Sequence, residues 1–340
     1  MEKIFNLTFK GNRILSNTND KNYFKCVFYD GLYQFKNASN ININNCTFFS
    51  KYSFWNTSNI AVENSLFERD TRAVFWYTNK LDIKNTKFLG AKIVNYSTYI
   101  TVNNCNIISD FDFWNSTNAK FNSSNLYGDY FLYSSNDIEI NDCKIESKQA
   151  LQMCKNIKIY KTAIKSSDIL WHAEDGFFEN TYFSGKNIGW NSKNLTFNNC
   201  IFEGDTPFCY ASNIIFNNCK FVNCEGAFEN SEVFGTITGS LISIYKPKKL
   251  DITIKSNVIP DLIYNENYKD TICVKVVQEI KEWKSLSKTE AFIVIDYLLR
   301  NSNDFLCCRN RNRLHNILHR DDGGDDCIRY IHFLHRYRLV

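Results

Sequence analysis

Asp110 and Asp129 stand nineteen residues apart. A repeat of that length would lay their carboxylates side by side, where they could hold a cation or share a proton for acid–base work. Hydrolysis or lysis of a polysaccharide uses such a group, often with calcium or an arginine, and Arg69, Asp70 and Arg72 form a second charged cluster. His172 beside Glu174 and Asp175 is the only histidine before residue 300; a lone turn histidine is first of all a solvated one. Trp55, Trp76, Trp114, Trp171 and Trp190 fall in one register, joined by Tyr133 and Phe228, with Asn56, Asn115, His172 and Asn191 each next in the chain. Rings exposed in a line beside amides are what sugar rings or an extended chain stack on. The alternative is that the indoles pack on one another or under a covering tail. Near the end, Cys307, Cys308, His315, His319, Cys327, His332 and His335 could compose a zinc site, but no pair has Cys-x-x-Cys spacing, so no metal and no cofactor is assigned.

These residues need a frame that repeats. Segments such as Ile41-Asn42-Ile43-Asn44-Asn45-Cys46-Thr47-Phe48 and Phe216-Asn217-Asn218-Cys219-Lys220-Phe221 recur, with a small residue as marker. The markers are Cys26, Cys46, Ser65, Thr86, Cys105, Ser124, Cys143, Thr162, Thr181, Cys200 and Cys219, spaced by 20, 19 and 21 residues and thereafter by 19. That period is too short for two helices, and the apolar residues alternate with polar ones, which is the strand period. Positions five and three before the marker, two after it and eleven before it are apolar in nearly every repeat: Ile41, Ile43, Phe48 and Phe35 in the Cys46 repeat, Leu195, Phe197 and Phe202 in the Cys200 repeat. Four inward columns predict an all-β, right-handed parallel β-helix of about 12 coils with a 19-residue period. Asparagines one and six before the marker, such as Asn45 and Asn40, suit left-handed turn positions and stacked amide ladders. The tryptophans, ten before the marker, follow an inward residue and so should face solvent.

The strings Arg72-Ala73-Val74-Phe75-Trp76-Tyr77, Gly128-Asp129-Tyr130-Phe131, Gly189-Trp190-Asn191-Ser192-Lys193-Asn194-Leu195-Thr196, Phe208-Cys209-Tyr210 and Ala227-Phe228-Glu229-Asn230-Ser231 resemble an uncharacterised bacterial family of right-handed parallel β-helix proteins, a domain of unknown function. The resemblance runs over about residues 8 to 270 and includes Phe9-Lys10-Gly11-Asn12-Arg13. It departs at Asn12, where an acidic residue is expected, and in everything after about residue 280. Since the family's activity is unknown, the resemblance implies the fold and carries over no catalytic residue.

The chain has 340 residues, 44% hydrophobic and 22% charged, enough for a buried core. The longest apolar run, Ala291 to Ile295, cannot span a bilayer, and the start carries no export signal, so a cytoplasmic chain is expected, with no membrane partner and thirteen reduced cysteines. A formal charge of +4 is too mild to argue for nucleic acid. The β-helix is expected over 1–280 and a capping helix over 281–300, within which the capping box Ser287-Lys288-Thr289-Glu290 begins a helix. Residues 301–340 read as an Arg/His/Cys-rich tail, disordered or artefactual. The sequence does not specify an oligomeric state. The expected function is that of a scaffold whose aromatic column binds an oligo- or polysaccharide or another extended partner. A carbohydrate-active lyase or glycoside hydrolase is one alternative, and a purely structural or assembly protein the other.

Overall fold

The alternating residues before each marker form a six-residue strand, as in Ser39–Asn44, Thr117–Asn122 and Lys193–Asn198. A short second strand follows the marker, as in Thr47–Phe48 and Ile201–Glu203. Between them the chain turns a corner at a residue in the left-handed region, which asparagine tolerates better than other side chains: Asn45, Asn64, Asn104 and Asn199 have φ between 50° and 53°. The computed structural model describes residues 1–277. The helix expected over 281–300 and the candidate zinc ligands Cys307, Cys308, His315 and His319 lie outside the described residues.

Every coil pairs in parallel with the next, residue over equivalent residue: Ile41 with Ile60 and Ile43 with Val62, Ile138 with Ile157, Phe197 with Phe216. The parallel β-helix expected from the period is therefore the observed fold. One rung, Glu2–Phe5, precedes the marked repeats, and Glu232–Leu241, Lys249–Lys255 and Ile272–Val277 continue the ladder beyond them. All three fall within the β-helix expected over 1–280, although the coil of Glu232–Leu241 has no marker. The third side of each coil is held by shorter pairings, Phe75–Trp76 against Val94–Asn95 and single bridges such as Leu32 to Lys51 and Arg72 to Ala91.

All four inward columns are buried. In-register stacking brings like residues together, so Phe28, Phe48, Phe67 and Phe88 form a continuous stack, with centroids 4.3, 4.5 and 4.5 Å apart. The amide ladders are present too: Asn59 donates to Asn40 at 2.5 Å, Asn213 to Asn194 at 3.0 Å and Asn218 to Asn199 at 2.9 Å. The marker does more than fill a corner. Ser65 Oγ accepts the backbone N–H of Cys46 at 3.1 Å and donates to the carbonyl of Glu63 at 2.7 Å, and Ser124 does the same for Cys105 and Asn122. A small side chain with a donor and an acceptor is what the corner needs, and serine, threonine and cysteine all supply it. No helix among the described residues is long and apolar enough to cross a membrane.

Candidate functional site: an aromatic face

The tryptophans occupy the third side, each just ahead of a left-handed residue nine before the marker: Asn56, Tyr77, Asn115, His172 and Asn191. Their surroundings correct the expectation of rings turned freely to solvent. Trp171 is 36% exposed, whereas Trp55, Trp76, Trp114, Trp190 and Tyr133 are half-buried. Phe228 leaves the column altogether and is buried, because it stands twenty residues after Phe208 and takes that residue's inward place.

Two causes hold the rings down. Trp76 Nε1 donates to the carbonyl of Lys92 at 2.8 Å and Trp114 Nε1 to that of Tyr130 at 2.7 Å, in each case sixteen residues on in the next coil. Asn95 stands in the same column without an indole, and its amide donates to the carbonyl of Phe111, again sixteen residues on, at 3.0 Å. The rings also pack on aromatic neighbours. Trp55 stacks on Trp76 at 5.5 Å and meets Tyr52 and Tyr77 edge-on, while Trp114 lies between Phe111 at 5.4 Å and Tyr133 at 5.1 Å. What remains open is the outer surface of this cluster, where Tyr77 (45% exposed) and Tyr96 (41%) stack on each other at 5.3 Å. Those two tyrosines were not singled out in the sequence, although their register, nine before the marker, could have found them.

The amides beside the rings belong partly to the frame. Asn191 donates to His172 Nδ1 at 2.7 Å, and Asn56 to Asn37 at 2.8 Å, so this column is a third ladder. Asn115 shares the left-handed conformation, with φ of 48°, and is exposed. His172 lies edge-on to Trp171 at 4.3 Å. Glu174 is paired with Lys155 at 2.8 Å and Asp175 accepts from Asn194 at 2.9 Å.

Asp110 and Asp129 do meet across adjacent coils, but each has a structural partner. Asp110 Oδ1 accepts the backbone N–H of Asp129 at 2.7 Å, and Asp129 faces Lys148 at 2.5 Å. An acid that the sequence reading passed over is buried two residues beyond Asp110. Asp112 is fully enclosed, and neither oxygen has a hydrogen-bond partner, although the Ser109 hydroxyl and the N–H groups of Ile93 and Val94 lie close enough to ease its charge. Burial pushes its carboxyl up to about 7. It sits among the inward residues twelve before the marker, between Ile93 and Phe131, out of reach of any ligand on the surface.

On the outer face of the six-residue strands an open groove of about 630 Å³ is lined by Lys120, Glu139, Lys158 and Phe177 on one side and alternating Asn118, Asp137, Asn156 and Asp175 on the other. Lys120 and Glu139, on adjacent coils, pair along its first side at 3.1 Å.

The family profile described as Protein of unknown function (DUF3737) matches residues 2–277, nearly all of the described solenoid. The chain belongs to this family. The resemblance seen in the repeat strings is thus confirmed, and DUF3737 membership fixes no activity. No curated protein matches the chain. Among solved structures, the DUF3737 solenoid is similar to the catalytic domain of a GH87 alpha-1,3-glucanase variant in complex with tetrasaccharides, at 11% identity and a TM-score of 0.25, over 82% of this chain. The chain spans 62% of the length of that structure.

Proposed function

We propose that this solenoid is a binding scaffold and that an extended carbohydrate chain lies along its aromatic face, parallel to the stack of coils. The observation that carries this reading is the run of aromatic side chains on successive coils, Tyr52 and Trp55, then Trp76 and Tyr77, Tyr96, then Phe111 and Trp114, fixed by one another and by the indole N–H bonds. Coils rise by about 4.8 Å, comparable to the length of a pyranose ring, so neighbouring sugars of one chain would meet equivalent rungs. Rings held in place lose little freedom when a ligand stacks on them. The rival, a lyase or hydrolase, draws less support, because Asp110 and Asp129 are engaged by a backbone N–H and by Lys148.

A glycan array on the full chain, followed by titration of the glycans retained, tests the reading. Binding should be lost in the double variant Tyr77→Ala/Tyr96→Ala while the circular dichroism of the solenoid is unchanged. Turnover of a bound glycan that persists in this variant and disappears in Asp129→Asn would replace the scaffold with an enzyme.

A further inference from the structure

Four outward columns frame the aromatic face, standing fourteen, thirteen, ten and nine before the marker. Parallel pairing brings their successive members together: Lys51 lies over Leu32, Ala91 over Arg72, and the carbonyl of Arg72 accepts the N–H of Tyr52 at 2.8 Å. From the Cys26 coil through the Cys105 coil these columns hold Arg13, Lys36, Lys51, Arg72 and Lys92 and no acidic residue. None of the five is in an ion pair among the described residues. Three lean on the rings themselves: Arg13 and Lys36 over Tyr33, at 5.9 and 5.8 Å, and Lys92 over Phe111 at 5.1 Å. The acids beside this stretch in the chain, Asp30, Glu68 and Asp70, belong to the turns ahead of Leu32 and Arg72 and stand outside the four columns, Asp30 being paired with Lys10. In the next coil the sign changes, because Asp110 follows Ala91 in the fourteenth position and Asp129 follows Asp110.

Cations at intervals of one coil along a ring-lined face, with no carboxylate among them, set a potential that a neutral sugar chain does not use and an anionic one does. We infer that the chain held on the aromatic face is acidic, a carboxylate-bearing oligosaccharide, and that it lies over the coils from Arg13 to Lys92 and stops at Asp110. This rests on the scaffold reading above and adds to it the charge of the ligand and its place on the solenoid. The ring faces take the apolar faces of the sugars, and the five cations, each on a long flexible stem, reach carboxylates projecting from the edge of the chain.

The full chain is titrated with a galacturonate hexamer, a neutral glucose hexamer and a thymidylate hexamer, at low and at physiological salt. The acidic glycan should bind best and weaken as salt rises, since exposed charges are screened within about 10 Å at 0.1 M. Arg72→Gln/Lys92→Gln should weaken it by about tenfold or more, with thermal unfolding unchanged. Asp110→Asn keeps the acceptor for the Asp129 N–H and should strengthen binding. If the neutral hexamer binds as tightly, without salt dependence, and is lost in Tyr77→Ala/Tyr96→Ala, the acidic ligand is overturned and the aromatic platform stands. Binding of thymidylate alone overturns both in favour of single-stranded nucleic acid. Absence of binding by all three hexamers overturns the acidic ligand, and a glycan array that also stays blank removes the platform with it.

Discussion

The indole of Trp114 donates its N–H to the carbonyl oxygen of Tyr130 at 2.7 Å, one coil further on. That carbonyl belongs to a residue in the left-handed region, with φ of 59°, outside the regular ladders. Trp76, Asn95 and Trp114 are therefore clasps between coils as well as part of a surface. Trp114→Phe keeps a ring and removes the donor, and should cost about 1–2 kcal/mol in urea unfolding. Trp114→Ala also loses the contacts with Phe111 and Tyr133, and a cost of about 2–4 kcal/mol is expected for this half-buried ring. Equal stability of wild type and both variants would remove the clasp.

Asp112 should make the solenoid weaker in neutral and alkaline solution. Its carboxyl titrates near 7 when folded, against an ordinary 3.8, so the folded state binds the proton more tightly than the unfolded one. The penalty is absent below about pH 3.8, grows as pH rises through that window, and is complete above about 7, where it reaches roughly 4 kcal/mol. Asp112→Asn should then match wild type near pH 4 and exceed it by up to that amount at pH 8. Melting curves across this range decide it, and a variant less stable at both ends would show that the carboxylate is needed.

Asn199 separates two contributions to the corner. It has φ of 50° and accepts the amide of Asn218 at 2.9 Å. Asn199→Gly keeps the conformation at little strain and loses the ladder bond, whereas Asn199→Ala adds about 1–2 kcal/mol for the left-handed backbone. Alanine should thus be the worse of the two by denaturant midpoint. The reverse order would mean that the backbone freedom of glycine costs more than the left-handed strain of alanine.

Phe202 is fully buried and stacks on Phe183 at 5.2 Å, with Phe197, Phe208 and Phe216 around it. Phe202→Ala should cost about 3–5 kcal/mol, and Phe202→Asp more, because the charge has no partner. Lys193→Asp, at the exposed first residue of the strand Lys193–Asn198, should change stability by less than about 0.5 kcal/mol. Comparable melting temperatures for Phe202→Asp and Lys193→Asp would mean that the register is wrong.

The described cysteines are free thiols, and all but Cys273 are buried. Burial pushes the Cys154 thiol up to about 12, far from the thiolate that alkylating reagents attack. Iodoacetamide on the native protein, read by peptide mass spectrometry, should modify Cys273 well before Cys154. Early labelling of Cys154 would show that its coil opens readily.

The inward columns were legible because many coils repeat the same choice: Phe28, Phe48 and Phe67 state one position three times over. The third side was not. Its residues follow no strand alternation, and the bond from Trp76 to the Lys92 carbonyl spans sixteen residues, which a marker period of nineteen does not suggest. Asn95 illustrates the gap, since it reads as an interruption of the tryptophans yet makes the same bond. Asp112 was hidden for a related reason: the position twelve before the marker holds Gln34, Ser53, Val74, Ile93 and Phe131 in other coils, too mixed to announce an interior column. Of the candidate site, the register of the rings was readable, and their depth was not.

Because from Thr86 to Cys219 each residue rests on its counterpart nineteen positions away, the chain carries its own unit of length. Excising one whole period between equivalent corners would remove a storey and leave every other side chain facing as before, with the binding face shortened by one step. Excising a single residue would do greater harm, since all later strands would turn their phenylalanines to the outside until some loop absorbed the slip. A solenoid of this kind can lengthen or shorten by complete storeys, and the reach of its aromatic face would change with them.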